Sequence, residues 1–533
     1  MNNMPSNPQL LTTVGTSPAA PYQADQALPI WRASSRMALV TLASLLAVGI
    51  MATGCADMSG IHSSADLRNA DSLGLSASAP EQALKNMPVE KWWTDFGDAQ
   101  LDALVAKALE NNPNLKLAQA RLKRAQSSIE SVAAAAGPQL QAQLDVTRQR
   151  YSANGLVPPP LAGSTVNNAT AQLSASWELD FFGKNRAALD AAIGTANASA
   201  ADAQAARVLL ASNVARSYFQ LLRLNDLAAV AKRTLAQRQE TLKLVQDRVG
   251  AGLDTRLELR QSEGGLPEAR LQLEVVLEQA ALTRNALAAL TGQSEAQVSA
   301  LLQELPALTA IHPVALQAKL SADLLGRRAD IAAARWRVEA SSSLVANAKA
   351  EFYPNINLVG FAGFSSLGLN RLFSAGSQQI GVGPALRLPI FDSGRLRANL
   401  RGKTADLDIA VESYNAAVID AVRDVSDQLS SLTAIERQQQ QQSLAQSAAQ
   451  DAYDIAVQRY KAGLGNFINV LTAETSVLTQ RRLAVDLSAR VLDTQVALIR
   501  ALGGGYSASA QASFSNSAVL AGNRVIETSA RAQ

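Results

Sequence analysis

Apolar positions along this chain change period several times, and the changes divide it into elements. From Trp93 the apolar side chains recur at three and four residues, the helical spacing: Phe96, Leu101, Leu104, Val105 and Leu109. Past a break at Asn111-Asn112-Pro113-Asn114, a second helix over about 115–136 carries Leu115, Ala118, Leu122, Ala125 and Ile129 along one face. After Pro138 the period falls to two. Leu140, Ala142, Leu144 and Val146 alternate with Gln139, Gln141, Gln143 and Asp145, and beyond a Gly/Pro/Asn-rich interval the alternation returns on Ala171, Leu173, Ala175, Trp177 and Leu179. Two strands with one apolar and one polar face suit a soluble sheet, or a membrane barrel with lipid outside and water inside. From Asn185 to Arg248 there is no proline and one glycine, Gly194, which reads as a mild flaw. The stretch predicts one helix roughly 95 Å long at ~1.5 Å per residue. After Gly250-Ala251-Gly252 comes another helix, about 255–290, capped by Asp254 or Thr255 and expected to kink or break at Gly264-Gly265 and Pro267.

At Arg327 the pattern starts again. Ala329-Asp330-Ile331 stands in the place of Pro113-Asn114-Leu115, and a helix to Glu351 ends before Pro354 as the earlier one ended before Pro138, both at an offset of 216 residues. Alternation follows on Ile356, Leu358 and Gly360, then on Ile380, Val382, Leu386, Leu388 and Ile390. Pro384 within the last of these predicts a bulge or a late strand start, and Pro389 a position near the strand end. Gly394-Arg395 matches Gly183-Lys184, and Ala462-Gly463-Leu464 matches Ala251-Gly252-Leu253, now at an offset of 211. A second very long helix, Leu396 to Arg459, contains Gly402 near its start, and a last helix runs from about Ile468 to Leu502. The chain is a tandem duplication of helix, strand, strand, very long helix and long helix.

Four strands cannot close a barrel, and open sheet edges are not tolerated in lipid. The narrow Ala/Leu stripes of the helices also lack partners along their length. A ring-shaped homo-oligomer that pools strands and helices satisfies both. The competing reading is a lipid-anchored periplasmic coiled-coil structural protein with a soluble sheet.

Composition removes several function classes. The net charge of +3 over 533 residues, with Lys and Arg interleaved among Asp and Glu, offers no nucleic-acid surface. Two histidines, His62 and His312, and one cysteine exclude a Cys/His zinc site and a disulfide within the chain. No nucleophile or carboxylate-pair motif is present, so neither an enzyme nor a cofactor is expected. The cysteine has a context of its own. Arg32 and Arg36 precede the uncharged run from Met37 to Met51, which ends in Ala52-Thr53-Gly54-Cys55. That is the order of a secretory signal, and it resembles a bacterial lipoprotein signal whose cleavage leaves Cys55 lipidated, with Ala52 where such signals usually carry Leu.

Several motifs carry a further resemblance. Leu325-Gly326-Arg327-Arg328-Ala329-Asp330-Ile331, the Trp92 to Asn112 run, Trp177-Glu178-Leu179-Asp180-Phe181-Phe182-Gly183 and the duplicated Ala-Gly-Leu turns resemble the outer membrane factor family, over roughly 92–503. Ala329 departs from it, standing where the family usually has Pro. The lipoprotein start points to the channels of tripartite RND-type efflux systems, with the type I secretion duct as the alternative. The resemblance implies a mixed fold: a membrane β-barrel of twelve strands, four from each chain of a homotrimer, above a periplasmic α-helical barrel. It implies outer-membrane lipid, a periplasmic adaptor (membrane fusion) protein and an inner-membrane RND-type transporter as partners.

The expected organisation is then a signal peptide (1–54), a lipid-anchored tether (55–91), first-repeat helices (92–137) and a first outer-membrane hairpin (138–182). A first periplasmic helix pair (183–290) and an equatorial connector (291–326) follow. The second repeat supplies a helix (327–353), a hairpin (354–393) and a periplasmic helix pair (394–503), before a tail (504–533). Tyr151, Trp177, Phe361 and Phe364 are candidate membrane-interface anchors. The tip is the family's gate, and relatives often carry aspartates there. This chain has Asn469 and Thr472 at the matching positions, so the expected closure rests on Leu464 and Leu471, with Arg459 and Tyr460 tying neighbouring helices together. Leu253, Asp254, Thr255, Arg256, Leu257 and Gly463 are the candidate adaptor contacts.

Overall fold

A computed structural model of the chain describes residues 58–68, 90–314 and 326–506, all within one unit that spans Met58–Gln533. The signal segment, Cys55, most of the tether, part of the connector and residues 507–533 lie outside the described residues. A short 3-10 turn, Trp92–Phe96, leads into α1 (Ala99–Asn111) and α2 (Pro113–Ala136). Asp98 caps α1 by accepting from Gln100 and Leu101 N–H, and Asn112 caps α2 in the same way ahead of Pro113. Strands β1 (Gln139–Arg150) and β2 (Thr165–Leu179) follow, then α3 (Lys184–Gly250), α4 (Arg256–Thr291) and the short α5 (Glu295–Leu301). The second repeat gives α6 (Ala329–Ala350), β3 (Asn355–Leu367), β4 (Gln378–Arg387), α7 (Arg395–Lys461) and α8 (Phe467–Ala501).

The two very long helices have equal length, 67 residues each, or about 100 Å. Gly183 and Gly394, both at positive φ, start them. Gly194 is no flaw: α3 approaches α6 closely here, and a Cβ would lie 3.0 Å from the Cβ of Ala340 and 3.1 Å from its Cα. The expected break in α4 does not occur, because the helix runs through Gly264-Gly265 and Pro267. Pro267 cannot donate to the carbonyl four residues back. Arg238 of α3 braces this segment instead, with Nη1 2.7 Å from the Gly265 carbonyl and 2.9 Å from Glu268.

The four strands form one antiparallel sheet in sequence order, β1-β2-β3-β4, with β1 and β4 as open edges. Its register aligns like with like. Leu140, Ala142 and Leu144 pair with Ala175, Leu173 and Ala171, which pair in turn with Gly360, Ala362 and Phe364. Gly360 and Ala362 pair with Val382 and Ile380, so the apolar set continues on one face across all four strands. The opposite face carries Gln139, Gln141, Gln143, Gln172, Ser174, Ser176 and Gln379. No helix packs substantially on either face, and Ile380 and Val382 stand 85% and 82% exposed.

Two strand expectations change. Pro384 sits opposite Leu358 in unbroken register without a bulge, since β4 is an edge strand where a proline is tolerated. The strand ends at Arg387, so Leu388, Pro389 and Ile390 lie beyond it. The register also divides the expected interface anchors. Trp177 and Phe364 lie on the apolar face, whereas Phe361 pairs with Ser174 on the polar face, and the Tyr151 hydroxyl exchanges hydrogen bonds with polar-face Asn168.

The largest core lies midway along the helices, where Trp92, Phe96, Leu101 and Leu104 pack on Tyr218, Phe219 and Leu222 of α3 and Val496 of α8. Tyr218 donates to Asp98 at 2.6 Å, tying the cap of α1 to α3. A second core fills the far end: Val245, Tyr453, Tyr460, Phe467, Val470 and Val477. Residues 58–68 lie along α7. The Asp408 carboxylate accepts from the Ser63 hydroxyl, the Ser64 N–H and hydroxyl, and the Ala65 N–H, while Asn415 accepts from Arg68 N–H and donates to the Asp66 carbonyl.

The duplication is packed unequally. Helix α6 lies between α3 and α7 and buries eight residues; its counterpart α2 packs substantially on α3 alone and buries only Leu115. The second flank of α2, the free flank of α7 and both sheet edges are therefore left without partners among the described residues.

Candidate functional site

Each long helix ends in the same turn. Gly252 and Gly463 adopt positive φ, and Leu253 N–H donates to the Arg248 carbonyl (2.9 Å) as Leu464 N–H does to that of Arg459 (2.8 Å). The returning helices are capped at once: Thr255 and Glu258 form a reciprocal capping box on α4, and Asn466 accepts from Asn469 N–H on α8. The turns push Leu253 and Leu464 outward, 65% and 69% exposed.

A partly buried polar knot joins the two turns. Arg248 holds Asp254 through two hydrogen bonds, Nε at 2.9 Å and Nη2 at 3.2 Å, and its guanidinium lies 4.5 Å from the centre of the Tyr460 ring. The Tyr460 hydroxyl donates to the same carboxylate. The Tyr460 ring is fully buried and packs on Phe467, with ring centres 5.7 Å apart. The Arg248 hydrogen bond holds the Asp254 carboxyl below its ordinary range, while burial, reinforced by Asp254, pushes the Tyr460 hydroxyl upward. The knot links α3 of the first repeat to α7 of the second.

The expected tip residues therefore separate. The Tyr460 hydroxyl reaches from α7 to the Asp254 carboxylate of the first turn. Arg459 instead caps its own turn, with Nη2 3.1 Å from the Leu464 carbonyl. The carboxylate of Asp254 is engaged within the chain, while Leu253, Thr255, Arg256, Leu257 and Gly463 face outward. Leu464 is free at the apex, but Leu471 packs half-buried on the tip core. Asn469 and Thr472 are exposed, and the Thr472 hydroxyl donates to the Ile468 carbonyl of its own helix.

Arg248 was not singled out by sequence, although the duplication contains its signal. Arg248 and Arg459 are 211 residues apart and occupy the same position in their turns. The place of Asp254 in the second turn is held by Gly465, so Arg459 has no carboxylate and falls back on a carbonyl. A set of aromatics at the strand–helix junctions was also missed as a group. Phe181, Phe182, Tyr353 and Phe391 are all exposed, and Phe182 stacks on Tyr353 with ring centres 4.9 Å apart.

Among the described residues no cluster of His, Cys, Asp or Glu could hold a metal ion, and no helix is long and apolar enough to cross a membrane.

Comparison with known proteins agrees with this architecture. The family described as "Outer membrane efflux protein" matches residues 104–293 and again 320–504. The starts of these stretches are 216 residues apart and their ends 211, the two offsets of the duplication. The multidrug resistance outer membrane protein MdtQ of Escherichia coli O6:H1 is 36% identical over 433 residues, covering 80% of this chain and 90% of its own. MdtP of Escherichia coli K12 is 31% identical over 494 residues, covering 89% and 98%. The crystal structure of the outer membrane protein VceC from Vibrio cholerae superposes with a TM-score of 0.74 at 34% identity, over 79% of this chain and all of that one. This chain is a member of the outer membrane efflux protein family.

Proposed function

We propose that three copies of this chain form an outer-membrane exit duct for a tripartite multidrug efflux pump. The observation that carries the reading is the sheet: a register-locked apolar face left bare, a polar face opposite, and two open edges. A soluble protein covers such a face, whereas a barrel turns it toward lipid and pairs every edge. Twelve strands from three chains would close β1 of one copy on β4 of the next. The same closure would lay α2 of one copy on the free flank of its neighbour's α7, repeating the contact that α6 makes with α3. In this arrangement residues 138–182 and 354–393 span the outer membrane, and Phe181, Phe182, Tyr353 and Phe391 stand at its inner surface as an aromatic belt. Residues 183–290 and 394–503 form the periplasmic tunnel, with 92–137, 291–326 and 327–353 around its middle.

Passage through the tunnel is passive and the tip is its gate. The Arg248–Asp254–Tyr460 knot holds the helix ends together, with Leu464 at the apex and Leu471 beneath it. Leu253, Thr255, Arg256, Leu257 and Gly463 offer an exposed rim to a periplasmic adaptor, which couples the duct to an inner-membrane RND-type transporter. Residues 1–54 act as the export signal and lipidated Cys55 as an additional anchor. The multidrug character follows the names of the relatives. The test is a Cys55→Ala variant exported by a replacement signal peptide. Insertion into membranes as a heat-resistant trimer is expected; extraction as a soluble monomer without detergent would refute the barrel and favour a lipid-tethered scaffold.

A further inference from the structure

The polar face of the sheet has one aromatic member among its paired residues. We infer that Phe361, assisted by Asp145, forms a binding patch for aromatic or lipophilic cations; this rests on the barrel reading, in which that face lines the lumen. In its row Phe361 lies between Ser174 and Gly381, with Gln141 beyond Ser174. Its ring covers Gly381 closely: a Cβ on that glycine would lie 2.7 Å from the Cε1 and Cζ atoms of the ring. The Cε1–Cζ side of the ring thus lies over the glycine, while the residue keeps 40% of its surface exposed. An open aromatic face attracts cations through its negative quadrupole.

The charges around it favour the same ligand. Asp145, on the same face, accepts from Gln143 and has no cationic partner among the described residues. It stands two polar-face positions along the strands from the Phe361 row, about 14 Å away at the usual rise per residue. That is too far for one small ligand to touch both, so Asp145 enriches cations in the lumen and Phe361 holds them. The other charges of this face lie at the opposite end: Glu178, paired with Lys184 at 2.5 Å, and Arg387 at the last residue of β4. With three chains the lumen would carry three such rings in a wall otherwise made largely of amides and hydroxyls.

The experiment is single-channel recording of the purified trimer in planar bilayers, with tetraphenylphosphonium added on the barrel side. F361L keeps an apolar cover over Gly381 but removes the aromatic face, and should shorten the mean blocked time about two- to fivefold, the range of an exposed ring–cation contact. D145N should lower the frequency of blocks and leave their duration unchanged. F361W should hold the cation at least as long as the native ring, and supplies the comparison should F361L fail to assemble. Blocks in F361L as long as in the native channel, or in F361W as short as in the absence of a ring, would overturn the site and leave Phe361 as a cover for glycine alone. Recovery of the native protein as a soluble monomer without detergent would instead overturn the barrel reading, and the patch with it.

Discussion

Replacing Asp254 with alanine should open the tip of the helical tunnel. The Arg248 and Asp254 side chains are only 12% and 10% exposed, and the one carboxylate serves both the guanidinium and the buried Tyr460 hydroxyl. Truncating one partner of a buried ion pair costs about 3–5 kcal/mol, because the other charge is left unpaired. The lower end applies here, since the knot lies next to solvent and Arg248 keeps its contact with the Tyr460 ring. Even about 3 kcal/mol shifts a local open–closed equilibrium roughly a hundredfold. Asp254→Asn can still accept from both partners and should fall between the native protein and D254A. Tyr460→Phe removes one hydrogen bond while Arg248 still holds the carboxylate, a loss of about 1 kcal/mol. The assay is single-channel conductance together with amide exchange over residues 248–255 and 459–467. The expected order of opening is D254A, then D254N, then Y460F. Acid should act in the same direction but late. The folded Asp254 is held below its ordinary value of 3.8, so its contribution is complete above that pH and is lost only as pH falls through the lower folded value. Native conductance and unchanged tip exchange in D254A would refute the latch.

Further outcomes follow from the sheet, the helix interior and the 58–68 segment along α7. Leu144→Arg puts a cation in the middle of the apolar face at a cost of about 2–4 kcal/mol and should block membrane assembly, whereas Gln143→Arg, one residue away on the polar face, should assemble; equal behaviour in a membrane-fraction assay would count against the assignment of faces. Burial, the largest influence on Glu474, raises its carboxyl above the ordinary value despite Arg238, so the proton is bound more tightly in the folded chain. The stabilisation from its neutral form is present below 4.5 and lost as pH rises through the raised value, so E474Q should melt higher at neutral pH with a flatter pH profile, and a lower melting temperature would contradict this. Asp408→Ala removes the acceptor shared by Ser63, Ser64 and Ala65 and should speed tryptic cleavage after Arg68, which an unaltered digestion rate would exclude.

The repeat, the helix lengths and the alternation were legible because each is a one-dimensional signal. Gly183 and Gly394 bound their long helices as the sequence suggests, and the alternating segments became strands with the expected faces. What depends on a second segment was not legible. Gly194 looks weak until Ala340 is seen against it, and Pro267 looks disruptive until Arg238 arrives from another helix. Phe361 reads as an anchor because its apolarity is visible while the register that assigns its face is not. At the tip, Tyr460 and Asp254 are 206 residues apart, and no local pattern announces that they share a hydrogen bond.

The equal length of α3 and α7 constrains how this protein can change. Each of these two helices runs from its strand junction to its tip turn without a loop in which an extra residue could be absorbed. One inserted residue would displace everything beyond it by ~1.5 Å along the axis and ~100° around it, turning a packed stripe toward water and lifting one turn out of the plane of the other. Such a change is tolerable only if the opposite long helix gains the same residue. The hairpins carry no such coupling: the links 151–164 and 368–377 already differ in length. Insertions and deletions in relatives should therefore collect in the hairpin links, while changes in the two long helices should come in matched pairs.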